Sequence, residues 1–120
     1  MTRLKIEISV PASHVEAVAD ALHTAGAGRV GAYARCSSGW RVTGSWQPLP
    51  GALPYDGEVG VVQYAEERRI ESVCDTEQAR AVLEAVRAAH PYEEPVIHFL
   101  PLYEPAESEE PQEAQEPYEW

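Results

Sequence analysis

"LKIEISVPASHVEAVADALHTAGAG", residues Leu4 to Gly28, sets two periods back to back. Leu4, Ile6, Ile8 and Val10 alternate with Lys5, Glu7 and Ser9, which is the period of a strand burying one face. Beyond Pro11, Val15, Val18, Leu22 and Ala25 recur at helical spacing, and Gly26 supplies the permissive residue at the stop. Ser13 and Glu16 have the S-x-x-E spacing of a capping box, in which hydroxyl and carboxylate satisfy orphaned amide donors at a helix start. A strand followed by an amphipathic helix is predicted.

The same pair returns in the second half of the chain. "EERRIESVC" (66–74) alternates as a strand, with Glu67, Arg69 and Glu71 on one face and Arg68, Ile70, Ser72 and Cys74 on the other. Asp75, with Gln78 three residues on, caps a helix whose stripe is Ala79, Val82, Leu83, Val86 and Ala89. Pro91 ends that helix, since proline disfavours helical geometry in the residue before it. Val96 to Leu100 reads as a last short strand closed by Pro101.

Between the two halves, "RVGAYARCSSGWRVTGSW" (29–46) predicts two strands joined near Ser37 to Gly39, with Trp40, Val42, Gly44 and Trp46 sharing a face. "QPLPGALPYDGEVG" (47–60) carries three Pro and three Gly and predicts a long loop. A loop of that length covers a sheet edge, touches a neighbouring subunit or walls a ligand site. The order is β-α-β-β-α-β with an extra hairpin arm. It predicts an α+β, ferredoxin-like fold, an antiparallel sheet with two helices on one face.

With 120 residues the chain holds one core, placed here in residues 1–103. Its 9 basic and 20 acidic residues give a formal charge of −11, and seven of the acids fall in Glu104 to Trp120. That composition predicts a disordered acidic tail over 104–120. A surface for nucleic acid needs clustered Lys and Arg, which the sequence lacks, so nucleic acid is excluded as a partner. No stretch approaches the roughly 20 apolar residues of a membrane span. With no signal-like start, a cytoplasmic protein with no membrane association is expected, and Cys36 and Cys74 are expected as reduced thiols.

The chemistry-bearing motifs are few. There is no nucleophile elbow, no H-E-x-x-H and no Walker-type loop, so the sequence predicts no enzyme. "GAGRVG" (26–31) follows a helix and enters a strand, the reverse of the order that places a helix terminus on a pyrophosphate. His14 and His23 lie too far apart along one helix to chelate one ion, and His98 falls on a strand. "AHPYEEP" (89–95) packs an imidazole, a phenol and two carboxylates into one turn. Two readings stand: a corner joining helix to strand, or a pair, His90 and Glu93, holding a divalent cation such as zinc, copper or manganese.

"VPASHVEAVADALHTAGAGRVGAYARCS", "GSWQPLPGALPYDGEVG", "EERRIE" and "AHPYEEPVIHFLPL", in that order, resemble the inserted PII-like domain of the NGG-interacting-factor-three-like, or YqfO-type, proteins. "HPYEEP" by itself also resembles the matching motif of the CutA-type cation-tolerance proteins. The likeness runs from about Lys5 to Leu102, with Trp46 where the pattern commonly has Phe and Gln63 where it has Glu. It implies a trimer-prone architecture related to the PII signalling proteins. It implies no dimetal chemistry, because full-length members hold their metals in a flanking domain outside this stretch.

The expectation is a homo-oligomeric binding or sensor module, a trimer, taking a small ligand or divalent cation at clefts between subunits. His90, Tyr92, Glu93 and Glu94 would form its corner, Glu67, Arg69 and Glu71 would face the cleft, and residues 47–60 would be a mobile wall. The alternative is a regulatory cap that docks on a metalloprotein of the same family, or on another protein partner.

Overall fold

The computed structural model describes residues 2–105. Four strands and two helices follow in the order β1 (Arg3–Pro11), α1 (Val15–Thr24), β2 (Ser38–Trp46), β3 (Gln63–Asp75), α2 (Ala79–Ala89) and β4 (Val96–Pro101). The sheet runs β2-β3-β1-β4, antiparallel at every junction. The fold is the ferredoxin-like α+β arrangement expected from the two strand-helix units.

The alternation in β1 decides which side is dry. Ile6, Ile8 and Val10 are fully buried, and Ile70 and Cys74 of β3 join them beneath Val18 and Leu22 of α1 and Val82 and Val86 of α2. The register pairs Ile8 with Ile70 and with Ile97, so one layer of aliphatic side chains crosses the three strands that the helices cover. Residues paired across antiparallel strands point to the same face. The opposite, open face therefore carries Lys5, Glu7 and Ser9 from β1 with Glu67, Arg69 and Glu71 from β3.

The helix caps divide. At α2, Asp75 and Gln78 form the expected box, with Gln78 Oε1 accepting from the Asp75 amide at 3.0 Å. The same side chain donates through Nε2 to the carbonyl of Gly26 at 3.2 Å, tying the start of α2 to the end of α1. Gly26 itself has φ +109°, the left-handed stop that glycine tolerates. At α1 the Ser13–Glu16 box is not formed. A 3₁₀ turn, Ala12–His14, leads into the helix, and Ser13 Oγ lies 2.8 Å from His14 Nδ1 instead.

The hairpin arm expected over 29–46 is also corrected. Only Ser38–Trp46 is a strand; before it, Val30 and Tyr33 bridge each other across a tight turn through Gly31. That segment is fastened to β3 differently, by Gly28 N–H to the Val73 carbonyl and Ser72 Oγ–H to the Cys36 carbonyl, both at 2.7 Å. Its aromatic and β-branched residues mimicked a strand, but Tyr33 is exposed and has no sheet neighbour to pack on. Cys36 and Cys74 are free thiols, and burial raises that of Cys74 above its ordinary pKa. The tail expected over 104–120 lies almost wholly outside the described residues.

Candidate functional site

Ferredoxin-like topology brings the end of β2, the start of β3, the end of β1 and the turn before β4 to one end of the sheet's open face. The loop from Gln47 to Val62 folds over that end. It is a fastened wall rather than a loose one: Trp46 Nε1 donates to the Asp56 carbonyl at 3.0 Å, the Gly60 amide to the Pro48 carbonyl at 2.8 Å, and Gln47 Nε2 to the Gly60 carbonyl at 3.3 Å. Farther out, the Leu53 amide donates to the Glu93 carboxylate at 3.1 Å, joining the loop to the "HPYEEP" turn. Gly57, at φ +113°, packs where a Cβ would lie 3.4 Å from the Trp46 indole nitrogen.

Between loop, sheet and turn lies a cavity of about 580 Å³. This is within the usual size range of small-molecule sites, roughly 300–1,000 Å³. Trp46, Tyr55 and Tyr92 supply its aromatic walls, the Trp46 and Tyr92 ring centres standing 5.6 Å apart and those of Tyr55 and Tyr92 6.0 Å apart. Four carboxylate side chains, Asp56, Glu67, Glu93 and Glu94, and one guanidinium, Arg69, complete its charged lining.

Glu67 sits deepest. It is 7% exposed, and its Oε2 accepts from the Tyr92 hydroxyl at 2.6 Å. Gly44 makes room for it on the neighbouring strand, since a Cβ there would lie 2.7 Å from Glu67 Cδ. Burial, reinforced by the bond to Glu67, holds the Tyr92 phenol well above its ordinary pKa of about 10, so the hydroxyl stays a donor at neutral pH.

His90 is behind this wall. Its Nε2 lies 2.6 Å from the Ser9 carbonyl and its Nδ1 accepts from the Tyr92 amide at 3.2 Å, so the proton is on Nε2 and both ring nitrogens are occupied. Burial lowers its pKa below the ordinary 6.5, in keeping with a neutral ring. Neither nitrogen has a lone pair left for a metal, and Glu93 is engaged with the loop. Among the described residues no group of three or more His, Cys, Asp or Glu converges as a metal set.

Of the residues singled out in the sequence, Tyr92, Glu93, Glu94, Glu67 and Arg69 thus line one cavity. Glu71 stands apart on the open face, ion-paired with Lys5, which also reaches Glu7 at 3.3 Å. Sequence reasoning missed Ser9 and the space at Gly44, and held Tyr55 and Asp56 only as unnamed parts of the wall 47–60. Trp46 and Gly44 had a signal, their shared strand face, whereas nothing in the spacing of the loop pointed to Tyr55.

No family model matches the chain. The protein named GTP cyclohydrolase 1 type 2 homolog from Mycobacterium leprae is 45% identical over 100 residues, covering 82% of this chain and 26% of that protein. Its namesake from Bacillus subtilis strain 168 is 39% identical over 104 residues, covering 86% and 28%. The chain thus spans about a quarter of the length of the curated relatives it matches.

Among solved structures, a Bacillus cereus protein related to NIF3 superposes with a TM-score of 0.74 at 36% identity, over 84% of this chain and 26% of that one. The periplasmic divalent cation tolerance protein CutA of Archaeoglobus fulgidus gives 0.64 at 19% identity, over 88% of both chains. Bacillus subtilis GlnK gives 0.56 at 17%, over 85% and 86%. The last two carry the fold alone, while the first relatives carry sequence as well. This chain belongs to the NGG-interacting-factor-three-like (NIF3-like) family, of whose longer members it matches a PII- and CutA-like domain.

Proposed function

We propose that the chain is a PII-like binding module that associates with copies of itself through the open face of its sheet and takes a small ligand in the cavity under residues 47–62. The observation that carries this reading is the cavity itself, of ligand size, with three aromatic walls and a buried, hydrogen-bonded carboxylate at its base. Tyr92, Glu67, Arg69, Glu93 and Glu94 contact the ligand, and His90 supports Tyr92 from behind. Glu71 belongs to the contact between subunits. There the ladder of Lys5, Glu7, Glu71 and Arg69 lies beside exposed Trp40, Val96 and Leu100, a mixed apolar and charged face suited to a second copy.

Native mass spectrometry of untagged protein at neutral pH, before and after chelation, tests both halves together. A trimer or other oligomer retaining a small mass is the expected result; a ligand-free monomer overturns it. Retention that survives chelation assigns the mass to an organic ligand rather than a metal.

One observation favours a second reading. In its relatives the matched segment is about a quarter of a longer protein, which suits a regulatory cap acting on a partner. Deleting residues 104–120 separates the two: loss of a co-purifying protein with ligand retention unchanged supports the cap. The cytoplasmic location expected from the sequence is part of both readings; no helix among the described residues is long and apolar enough to cross a membrane.

A further inference from the structure

We propose that the cavity takes a small organic monocarboxylate with an apolar body, its carboxylate received side-on by the Nε and Nη2 donors of Arg69. The inference rests on the binding reading above and names the ligand chemistry that the same site selects.

The ground is a donor without an acceptor. Among the described residues two buried side-chain polar atoms lack a hydrogen-bond partner, Arg3 Nε and Arg69 Nε. Arg3 is otherwise held: its Nη2 donates to the Arg29 carbonyl at 2.7 Å, and Asp75 Oδ1 stands 3.5 Å from its Nε. Arg69 has no such hold. It donates no hydrogen bond among the described residues, and its one ion pair there is long, from Nη1 to Glu7 at 3.9 Å. A buried donor left unpaired is costly, and this one is covered from water as well. Of the two arginines, Arg69 is the one that lines the cavity.

The shape of the guanidinium selects the acceptor. Its Nε–H shares an edge with Nη2, whereas the long contact to Glu7 is made by Nη1 on the other side. Two parallel N–H groups on one edge match the two oxygens of a carboxylate. The Arg69 side chain is 31% exposed, so a ligand meets the guanidinium at its outer end. A small turn of the side chain, to which the 3.9 Å contact offers little resistance, then brings the Nε edge round to it.

The carboxylates of the lining leave that edge open. Glu67 accepts from the Tyr92 hydroxyl and fills the space over Gly44, and Glu93 accepts from the Leu53 amide. Asp56 and Glu94 are exposed, where water and salt screen them. One guanidinium beside a buried Glu67 suits a single negative charge better than the two of a phosphate. The remaining walls, Trp46, Pro48, Leu49, Pro54 and Val96, present apolar surface to the body of the ligand.

The test is calorimetric titration of the full chain with phenylacetate, 3-phenylpropanoate and hexanoate, each against its primary amide, with phenylphosphonate as the dianion. At least one acid is expected to bind about tenfold or more tightly than its amide and than phenylphosphonate, as a charge-assisted bidentate pair requires. Arg69→Lys keeps the charge and loses the paired edge, and Arg69→Gln loses both. Each is expected to weaken that acid roughly fivefold or more and to leave the amide unchanged, with folding and oligomeric state checked by circular dichroism and light scattering. An amide or phenylphosphonate that binds as well as the acid overturns the monocarboxylate assignment, and Arg69→Lys binding the acid like the wild type overturns the side-on pair. No heat with any of the three acids overturns the proposal also. In that case the mass retained in native spectra still decides the binding reading separately.

Discussion

Removing a single hydroxyl, in Tyr92→Phe, leaves the buried Glu67 carboxylate without its protein donor. Hydrogen bonds to charged groups contribute roughly 1.5–3 kcal/mol, and a loss of that order is expected in urea unfolding. Gly44→Ala attacks the same bond from the other side, because the new Cβ occupies the space of the carboxylate. The two substitutions should therefore fall short of additivity by about 1 kcal/mol in a double-mutant cycle. Full additivity would mean that Gly44 and Tyr92 act on Glu67 independently. His90 gives a pH signature. Its folded pKa is depressed, so the unfolded chain binds the proton more readily. Stability is then full above about pH 6.5 and declines as pH falls below it. Unfolding midpoints measured between neutral and mildly acidic pH should show that decline, and His90→Gln should flatten it.

The elements differ in how plainly the sequence announced them. β1, α1 and α2 were legible because their apolar residues keep one period for at least two turns or three alternations, and β3 because Ile70 and Cys74 share one face while Glu67, Arg69 and Glu71 share the other; burial then follows period. The stretch from Arg29 to Ser37 was not, since a bridge between Val30 and Tyr33 uses strand-forming residues without any strand partner. The cavity was half legible. "HPYEEP" and the Glu67 face were visible as local chemistry, but Tyr55 reaches them only because the loop folds back through contacts 10 to 40 residues apart in sequence. That fastening is itself testable. Glu93→Ala removes the acceptor of the Leu53 amide, and hydrogen exchange at Leu53 should accelerate with little change in melting temperature. Gln78→Ala unties both the α2 cap and the Gly26 carbonyl, and is expected to cost about 1 kcal/mol or more in unfolding free energy.

At the scale of the whole molecule, one side of the sheet is closed by helices and the other is open. Trp40 and Val42 continue the face of Arg69 and Glu67, their register partners, so the apolar and charged residues of that face form one continuous area. Under the proposed self-association, Trp40→Asp should shift the protein to monomer in light scattering, whereas Arg80→Asp, on an exposed position of α2, should leave its oligomeric state unchanged. An oligomer indifferent to Trp40 would place the subunit contact elsewhere.

The space at Gly44 extends beyond its own strand. A carboxylate from β3 fills the volume that a side chain on β2 would occupy, so positions 44 and 67 share one fixed allotment of atoms. Among related sequences an alanine or serine at 44 should then travel with a shorter acid, aspartate, at 67, and with a ring at 92 whose hydroxyl must reach farther or is dispensed with. The signature of the site in such a collection would be three positions that vary in concert.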